Sequence, residues 1–242
     1  MRFGNRRGQT LAGILHGEPN DAVVISCHGM LSDKNGSKHQ RLAADLEALQ
    51  LPCLRFDFAG RGESEGRLFD LSFTHEVEDL DAAITYLASR GATRFGLFGS
   101  SMGGAVALLA AARDERVRAV ATLAAVGYPG DIAGRHPDEA RAFLERGQLE
   151  TVAGPIGRGF YDDAKAHDVI GAVRALHIPL LVLHGEEDDV VPVSDAHDIA
   201  TEARHVTLEI VPGADHRFSN PVHLKPAMRL AVEFFARHLA PV

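Results

Sequence analysis

Short apolar runs alternate with segments of helical periodicity along most of this 242-residue chain, and this alternation constrains the fold more than any other feature. Short apolar runs indicate buried strands, whereas apolar positions three or four residues apart indicate helices. Strands that alternate with helices predict an α/β fold, in which a mostly parallel twisted sheet is flanked by helices. The predicted strands are 22–27, 53–58, 94–99, 117–126, 180–184 and 206–211, and the predicted helices are 38–49, 74–89, 102–112, 194–203 and 225–238.

Two segments stand outside this alternation. Residues 2–7 and 10–16 are typical of a β-hairpin. The segment from about 127 to 175 contains no apolar strand run, is rich in Pro and Gly, and shows one helical patch over 138–146. A long insertion in a compact domain is usually functional. We therefore expect a single domain over 1–242 that carries an inserted cap at about 127–175.

Charge and cysteine content exclude several classes of protein. Lys and Arg number 25 against 33 Asp and Glu, a net charge of −8, so neither a nucleic acid nor an anionic membrane is an expected partner. Cys27 and Cys53 both lie in strand runs and predict buried free thiols rather than a disulfide framework. No apolar run is long enough for a signal peptide or a membrane span, which predicts a cytoplasmic protein.

The pentapeptide Gly99-Ser100-Ser101-Met102-Gly103 lies between a predicted strand and a predicted helix. In that context G-x-S-x-G is typical of a nucleophile elbow, a tight turn that exposes a strained serine above the sheet. The N-terminus of the following helix would stabilise a developing oxyanion. Ser101 is therefore the candidate nucleophile, although a glycine-rich turn packed for steric reasons alone would have the same sequence.

A serine hydroxyl is a poor nucleophile unless a positioned base accepts its proton. In this architecture the acid and then the histidine follow the serine along the chain. The segment 184–192 follows a predicted strand and offers Asp188 and Asp189, while His216 follows the next strand. Because the carboxyl ends of parallel strands share one edge of the sheet, we expect these groups to converge there.

Five motifs in this order give the chain a specific family resemblance. They are His28-Gly29, the segment 57–64 (Asp-Phe-Ala-Gly-Arg-Gly-Glu-Ser), the elbow at Ser101, the His-Gly-x-x-Asp-x-x-Val-Pro segment at 184–192, and Asp215-His216. Over nearly its whole length the chain resembles α/β-hydrolases of the serine esterase and serine aminopeptidase-like group. It is especially similar to small bacterial carboxylesterases of the cinnamoyl or feruloyl esterase type.

The resemblance implies a role for each group of the candidate triad. The family pattern selects Asp188 over Asp189 as the acid and His216 as the base. His184 matches the position before the acid loop, where a structural role is expected. A serine at position 101 disfavours dehalogenases and epoxide hydrolases, which would need Asp there, and dienelactone hydrolases, which would usually need Cys.

The family also suggests an oxyanion hole and a substrate pocket. By position, the backbone N–H groups of Met30 and Met102 would hold the oxyanion. His28 is a candidate pocket residue, although it is more easily explained as a brace for its loop. Phe160 and Tyr161 could line an acyl pocket or, equally, anchor the cap to the body.

The expected function is hydrolysis of small carboxylic esters through an acyl-enzyme on Ser101, with cinnamoyl-like or feruloyl-like aromatic acyl groups as one option. A thioesterase, an amidase or aminopeptidase-like enzyme, and an acyltransferase would use the same triad and stay open. An intact triad argues against a non-catalytic binding protein. No metal-ligand spacing and no dinucleotide motif occurs, so we expect no metal and no cofactor. Monomer and homodimer both remain open.

Overall fold

The computed structural model describes residues 1–135 and 137–239. The strands are β1 (Arg2–Gly4), β2 (Thr10–His16), β3 (Ala22–Cys27), β4 (Cys53–Phe56), β5 (Arg94–Ser100), β6 (Val117–Leu123), β7 (Gln148–Thr151), β8 (Gly154–Gly157), β9 (Leu180–Gly185) and β10 (Val206–Val211). The helices are α1 (Ser37–Ala48), α2 (Phe73–Ala88), α3 (Met102–Ala111), α4 (Ile132–Arg135), α5 (Pro137–Arg146), α6 (Gly159–Ala164), α7 (Val169–Ala175), α8 (Val193–Glu202) and α9 (Pro221–Leu239).

Within the described residues, eight strands form one sheet in the order β1-β2-β4-β3-β5-β6-β9-β10. In this sheet β4, β3, β5, β6, β9 and β10 pair with their neighbours in parallel. The strands β1 and β2 form an antiparallel hairpin, and β2 also pairs antiparallel with β4. The mostly parallel sheet and the N-terminal hairpin are therefore confirmed. In such a sheet the loops after β3, β5, β9 and β10 meet at one edge.

Helices cover both faces of the sheet, as the alternation predicts. Successive strand residues point to opposite faces. Val24 of β3 belongs to the apolar cluster that contains Leu42 of α1 and Phe235 of α9, whereas the preceding Val23 belongs to the cluster around Val106 of α3. The helix α3 is buried on all sides, which explains why its sequence is apolar throughout instead of amphipathic.

Several element boundaries differ from the sequence prediction, and two of the differences have a visible physical reason. The strand predicted over 117–126 ends at Leu123, because Ala124 adopts a left-handed backbone with φ 53° that breaks the strand. The last helix begins at Pro221 and not near residue 225, with Pro226 inside it. Asn220 accounts for the earlier start, since its side-chain oxygen accepts a 3.0 Å hydrogen bond from a backbone N–H of the first turn.

The segment between β6 and β9 is more ordered than its sequence suggests. The helical patch is confirmed as α5, but the segment also holds α4, α6, α7 and a small antiparallel hairpin of β7 and β8. This hairpin was not predicted, because its strands are only four residues long and one of them is Gly-Pro-Ile-Gly. Neither strand carries the apolar alternation that identifies a strand in sequence.

Both cysteines are buried and free, as expected. Burial raises the pKa of the Cys53 thiol to about 12, and burial likewise raises the pKa of Cys27 well above its usual value. Both thiols therefore stay protonated and behave as small apolar side chains. In residues 1–135 and 137–239, no helix combines the length and the apolar character that crossing a membrane requires.

Glu76 is an unpartnered carboxyl in the core. It lies in the first turn of α2, is 2% exposed, and neither of its carboxyl oxygens has a hydrogen-bond partner among the described residues. Burial, reinforced by the charge of Asp79, raises the pKa of Glu76 well above its usual value. Asp79 is equally buried but accepts hydrogen bonds from Asn5, Arg7 and the backbone of Ala59. Glu76 is thus a buried carboxyl whose ionisation works against the fold with no hydrogen bond to offset it.

Replacing Glu76 with Gln should stabilise the protein increasingly as the pH rises. An unfolded chain releases this proton above about pH 4.5, whereas the folded protein retains it, so wild-type stability declines with rising pH. We expect the Tm of Glu76→Gln to exceed that of the wild type by several degrees near pH 8 and by little near pH 5, as measured by calorimetry. Glu115→Gln, at an exposed position, is the control. A Tm difference that does not change with pH would contradict this account.

Candidate active site

Ser101 occupies a strained turn between β5 and α3. Its backbone angles are φ 57° and ψ −124°, a region that costs a non-glycine residue about 1–3 kcal/mol. The turn is held by close packing on both sides. A Cβ at Gly99 would lie 2.2 Å from the carbonyl oxygen of Gly103, and one at Gly103 would lie 2.4 Å from that of His28. Only glycine fits at these two positions, so the elbow geometry follows from the pentapeptide.

Ser101, His216 and Asp188 form a continuous chain of hydrogen bonds. The Oγ of Ser101 lies 3.1 Å from Nε2 of His216, and Nδ1 of His216 lies 2.8 Å from Oδ2 of Asp188. The carboxylate requires Nδ1 to be the donor, which leaves Nε2 of a neutral imidazole free to accept the serine proton. The Asp188 side chain is fully buried, whereas that of His216 is 14% exposed. The structure thus brings together the three residues that the sequence singled out.

The Asp188 carboxylate stays ionised although it is buried. Burial raises its pKa, but hydrogen bonds from His184, His216 and the backbone of Val191 outweigh burial and hold the pKa below the usual value. Its Oδ1 accepts from the N–H groups of Val190 and Val191 at 2.9 and 2.8 Å. These bonds fix the carboxylate on two sides, so its remaining oxygen faces His216.

The other acidic residues of this loop point away from the triad. Three of the four acids are exposed, namely Glu186, Glu187 and Asp189. Asp188 is the one of these four that contacts His216. In the part of the chain that the structure describes, no three His, Cys, Asp or Glu side chains form a group that could hold a metal ion. The acidic loop therefore supplies one residue to the site and a negative rim around it.

His184 contacts the acid more directly than the sequence suggested. It is fully buried, and its Nε2 lies 2.9 Å from the carbonyl oxygen of Val191 and 3.2 Å from Oδ2 of Asp188. Because both neighbours are acceptors, Nε2 carries the proton. Its Nδ1 is buried and has no hydrogen-bond partner among the described residues. His184 thus braces the acid loop; its only sequence signal is the His-Gly that opens the loop.

The two predicted oxyanion donors belong to the segments that adjoin Ser101. Met102 is the first residue of α3, where backbone N–H groups have no partner within the helix. Met30 follows Gly29, and a Cβ at Gly29 would lie 3.1 Å from the Cβ and 3.7 Å from the Oγ of Ser101. The loop after β3 therefore lies against Ser101, next to the start of α3, and the role of the Met30 and Met102 N–H groups as oxyanion donors stays a prediction.

His28 is a brace for this loop. Its side chain is fully buried, with Nδ1 2.9 Å from the carbonyl oxygen of Gly29 and Nε2 accepting a 3.1 Å hydrogen bond from the N–H of Phe58. Burial lowers the pKa of His28 to about 4, so the ring is neutral at physiological pH. Both nitrogens are occupied within the protein, which suits the bracing role better than a place in a substrate pocket.

A buried ion pair that the sequence analysis missed ties two loops of the site together. Asp57 accepts hydrogen bonds from the backbone N–H of Lys34 at 2.7 Å, from its Nζ at 2.6 Å, and from the N–H of Glu63 at 2.9 Å. The side chains of Asp57 and Lys34 are 0% and 2% exposed. Nearby, Nε of Arg61 donates to the carbonyl oxygen of Ser32 at 3.0 Å. These bonds fix the loop that follows His28.

Phe160 and Tyr161 pack inside the inserted segment and against the body. The Phe160 ring stacks on Phe73 of α2 with centroids 5.9 Å apart, and Tyr161 meets Phe143 edge-to-face at 4.6 Å. Phe160 is 2% exposed and Tyr161 is 8% exposed. These contacts serve the anchoring alternative; a place for either ring in an acyl pocket stays a prediction.

A Ser–His–Asp chain at the carboxyl edge of this sheet defines a serine hydrolase with the α/β-hydrolase fold. Comparison with known families agrees with this assignment. The family model described as serine aminopeptidase, S33, matches residues 18–147, which is more than half of the chain. The protein therefore belongs to this family of the α/β-hydrolase superfamily.

Three known proteins illustrate the similarity. Palmitoyl-protein thioesterase ABHD10, mitochondrial, from Pongo abelii is 26% identical over 84% of this chain and 69% of its own. The structure of Est1E from Butyrivibrio proteoclasticus with bound ferulic acid superposes with a TM-score of 0.85, at 22% identity and full coverage of both chains. The esterase domain of a Rhodothermus marinus protein gives 0.75 at 25% identity, covering 99% of this chain and 98% of its own.

The similarity fixes fold and family more firmly than substrate. The sequence identity to Est1E is below 25%, so the structural similarity to it supports the fold and not the substrate. The chain spans between 41% and 69% of the lengths of the first curated relatives it matches. What those proteins act on therefore bears on this chain only as support for a proposal.

Adding one methyl group at Gly103 should damage both stability and activity. The new Cβ would overlap the backbone of Cys27 and His28, which cannot move without displacing the loop that carries Met30. We expect Gly103→Ala to cost about 1–3 kcal/mol or more in urea unfolding. Gly159→Ala is the matched control, since no atom lies within 4 Å of its added Cβ. Equal stability of the two variants would show that the close packing at the elbow has been misjudged.

Proposed function

We propose that this protein hydrolyses small carboxylic esters through an acyl-enzyme on Ser101. The observation that carries the proposal is the hydrogen-bond chain from Ser101 through His216 to Asp188, with distances of 3.1 and 2.8 Å. In it, the Ser101 hydroxyl, the imidazole nitrogen that faces it and an ionised carboxylate are already aligned for proton transfer. Such an alignment converts a weakly nucleophilic serine into a reactive one.

In the acylation half-reaction, Oγ of Ser101 attacks the ester carbonyl carbon while Nε2 of His216 takes the hydroxyl proton. Asp188 holds Nδ1 and stabilises the imidazolium that forms, without itself accepting the proton. The carbonyl oxygen becomes an oxyanion, which the N–H groups of Met30 and Met102 stabilise. Each such donor is worth roughly 2.7–4 kcal/mol at the transition state. The intermediate then expels the alkoxide, which leaves as an alcohol with the proton from His216.

Deacylation repeats these steps with water. His216, neutral again, accepts a proton from a water molecule that attacks the acyl carbonyl. The second oxyanion occupies the same two backbone donors. Collapse releases the carboxylic acid and returns the proton from His216 to the Ser101 oxygen, so that the free enzyme is restored.

A short or aromatic acyl group is the substrate class that we favour. The inserted segment at 127–175, which we propose to be the cap, uses the large rings of Phe143, Phe160 and Tyr161 for its own packing and its anchorage on α2. Among the described side chains of this segment, few large apolar ones then remain to line a long acyl channel. A structure of the fold with bound ferulic acid also supports a compact aromatic acid.

Thioester hydrolysis is the second candidate. Its support is the 26% identity to palmitoyl-protein thioesterase ABHD10 over most of this chain. The same triad and oxyanion hole would serve a thioester, because the attacked carbonyl and the tetrahedral oxyanion are alike. The two candidates differ in leaving group and acyl length, so a substrate panel separates them.

Replacing single members of the triad should have unequal effects on hydrolysis of 4-nitrophenyl acetate. Ser101→Ala should lower kcat by about 10⁶, and Asp188→Asn by about 10⁴, because the amide stabilises the wrong imidazole tautomer. Asp189→Asn is the matched control one residue away and should change kcat less than about twofold. Steady-state kinetics on folded proteins, checked by circular dichroism, measure these changes. Greater loss in Asp189→Asn than in Asp188→Asn would refute the assignment of the acid.

Acyl chain length should matter more than leaving group. We expect kcat/KM to be higher for 4-nitrophenyl acetate, butyrate and cinnamate than for esters of about ten carbons or more, since the anchored rings leave little room. Each acyl group is also tested as its thiophenyl ester and each panel is repeated with Ser101→Ala as blank. Preference for palmitoyl thioesters would favour the thioesterase, and turnover limited to aminoacyl 4-nitroanilides would favour an aminopeptidase.

A further inference from the structure

Lys38 places a cation beside the nucleophile elbow. Its Nζ donates a 3.0 Å hydrogen bond to Oγ of Ser100, the last residue of β5 and the neighbour of Ser101. Ser100 is 3% exposed, so this bond occupies a buried hydroxyl. Lys38 also lies in the first turn of α1, where a positive charge opposes the helix dipole. The helix dipole does not favour this charge, and the hydrogen bond to Ser100 connects it to the elbow.

The charged groups that interact electrostatically with Lys38 come from the two loops that carry the acid and the base. Asp188 lies in the loop after β9, and Asp215 and Arg217 flank His216 in the loop after β10. Burial lowers the pKa of Lys38 to about 8, with Arg217 acting in the same direction and the two carboxylates opposing it. On its own helix, Lys38 neighbours His39, whose pKa burial lowers well below the usual value, so that ring adds no charge.

We propose that Lys38 is a positioning residue of the reaction at Ser101: its hydrogen bond fixes the hydroxyl of Ser100, the residue before the nucleophile, and its charge weakens the hold of Asp188 on the His216 proton. The inference rests on the proposed function. Two effects follow from it, one from charge and one from the hydrogen bond. The charge of Lys38 acts on Asp188 and, through the 2.8 Å contact, on His216. The hydrogen bond acts on the end of β5, and hence on the position of Ser101.

Three variants separate the two effects. Lys38→Met keeps the apolar stem but removes charge and donor, so Asp188 binds the imidazolium more strongly. The midpoint of the His216 titration should then rise by about half a pH unit. Lys38→Arg keeps the charge and should leave the midpoint in place. Ser100→Ala keeps the Lys38 charge and removes the acceptor, so it should lower kcat by about threefold without moving the midpoint.

The midpoint of the His216 titration is measured in two independent ways. The first is NMR titration of the His216 ring in the whole protein, with the signal assigned by its absence in His216→Gln. The second is the acid limb of kcat/KM against pH for 4-nitrophenyl acetate. If the wild type did not turn over the ester, the proposed function would fail, but the NMR titration would still decide the role of Lys38. Calorimetry on each variant verifies that the fold is intact.

Two results would overturn the inference. One is a His216 midpoint that is the same in Lys38→Met, Lys38→Arg and the wild type, which would make the cation irrelevant to the triad. The other is a rise in KM alone, with kcat and the acid limb unchanged, which would place Lys38 against the substrate instead. The role of Lys38 is supported if the His216 midpoint rises in Lys38→Met and stays at the wild-type value in Lys38→Arg.

Discussion

The close packing of β5, α3 and the loop after β3 is the constraint on which the rest of the site depends. Gly99 and Gly103 bring backbone atoms so near one another that no side chain fits between them. The energy of that packing holds Ser101 in a backbone conformation that serine avoids. The same contact sets the Gly29–Met30 loop against the nucleophile, so one local feature fixes both the hydroxyl and one side of the proposed oxyanion hole.

The acid side of the site illustrates how a buried charge is kept ionised. Removing Asp188 from water is unfavourable, yet two backbone N–H groups, His184 and His216 all hydrogen-bond the carboxylate. These donors outweigh burial and also fix its orientation. Glu76 shows the opposite case, since it is equally buried and lacks any such donor among the described residues. The carboxylate of the site is thus fully hydrogen-bonded, whereas the Glu76 carboxyl in α2 is buried without a partner among the described residues.

The sequence predicted features that depend on local pattern or on chain order. The parallel strands follow from their apolar runs, and the elbow follows from glycine spacing between a strand and a helix. The hairpin of β7 and β8 could not be predicted, because its short strands carry no apolar alternation and its two-residue turn, Val152-Ala153, is followed by Gly154 with a φ of 118°. Two further contacts could not be predicted from the sequence, those of Lys34 with Asp57 and of Lys38 with Ser100. They join residues that lie 23 and 62 positions apart in the chain.

The central claim is that Ser101 is a nucleophile activated by the folded protein. Reaction with a fluorophosphonate, followed by intact-protein and peptide mass spectrometry, tests it most directly because no knowledge of the natural ester is needed. We expect one adduct per chain, located on Ser101, and none in Ser101→Ala or in the urea-unfolded wild type. An unlabelled folded wild type, or an adduct on Ser100 in its place, would contradict it.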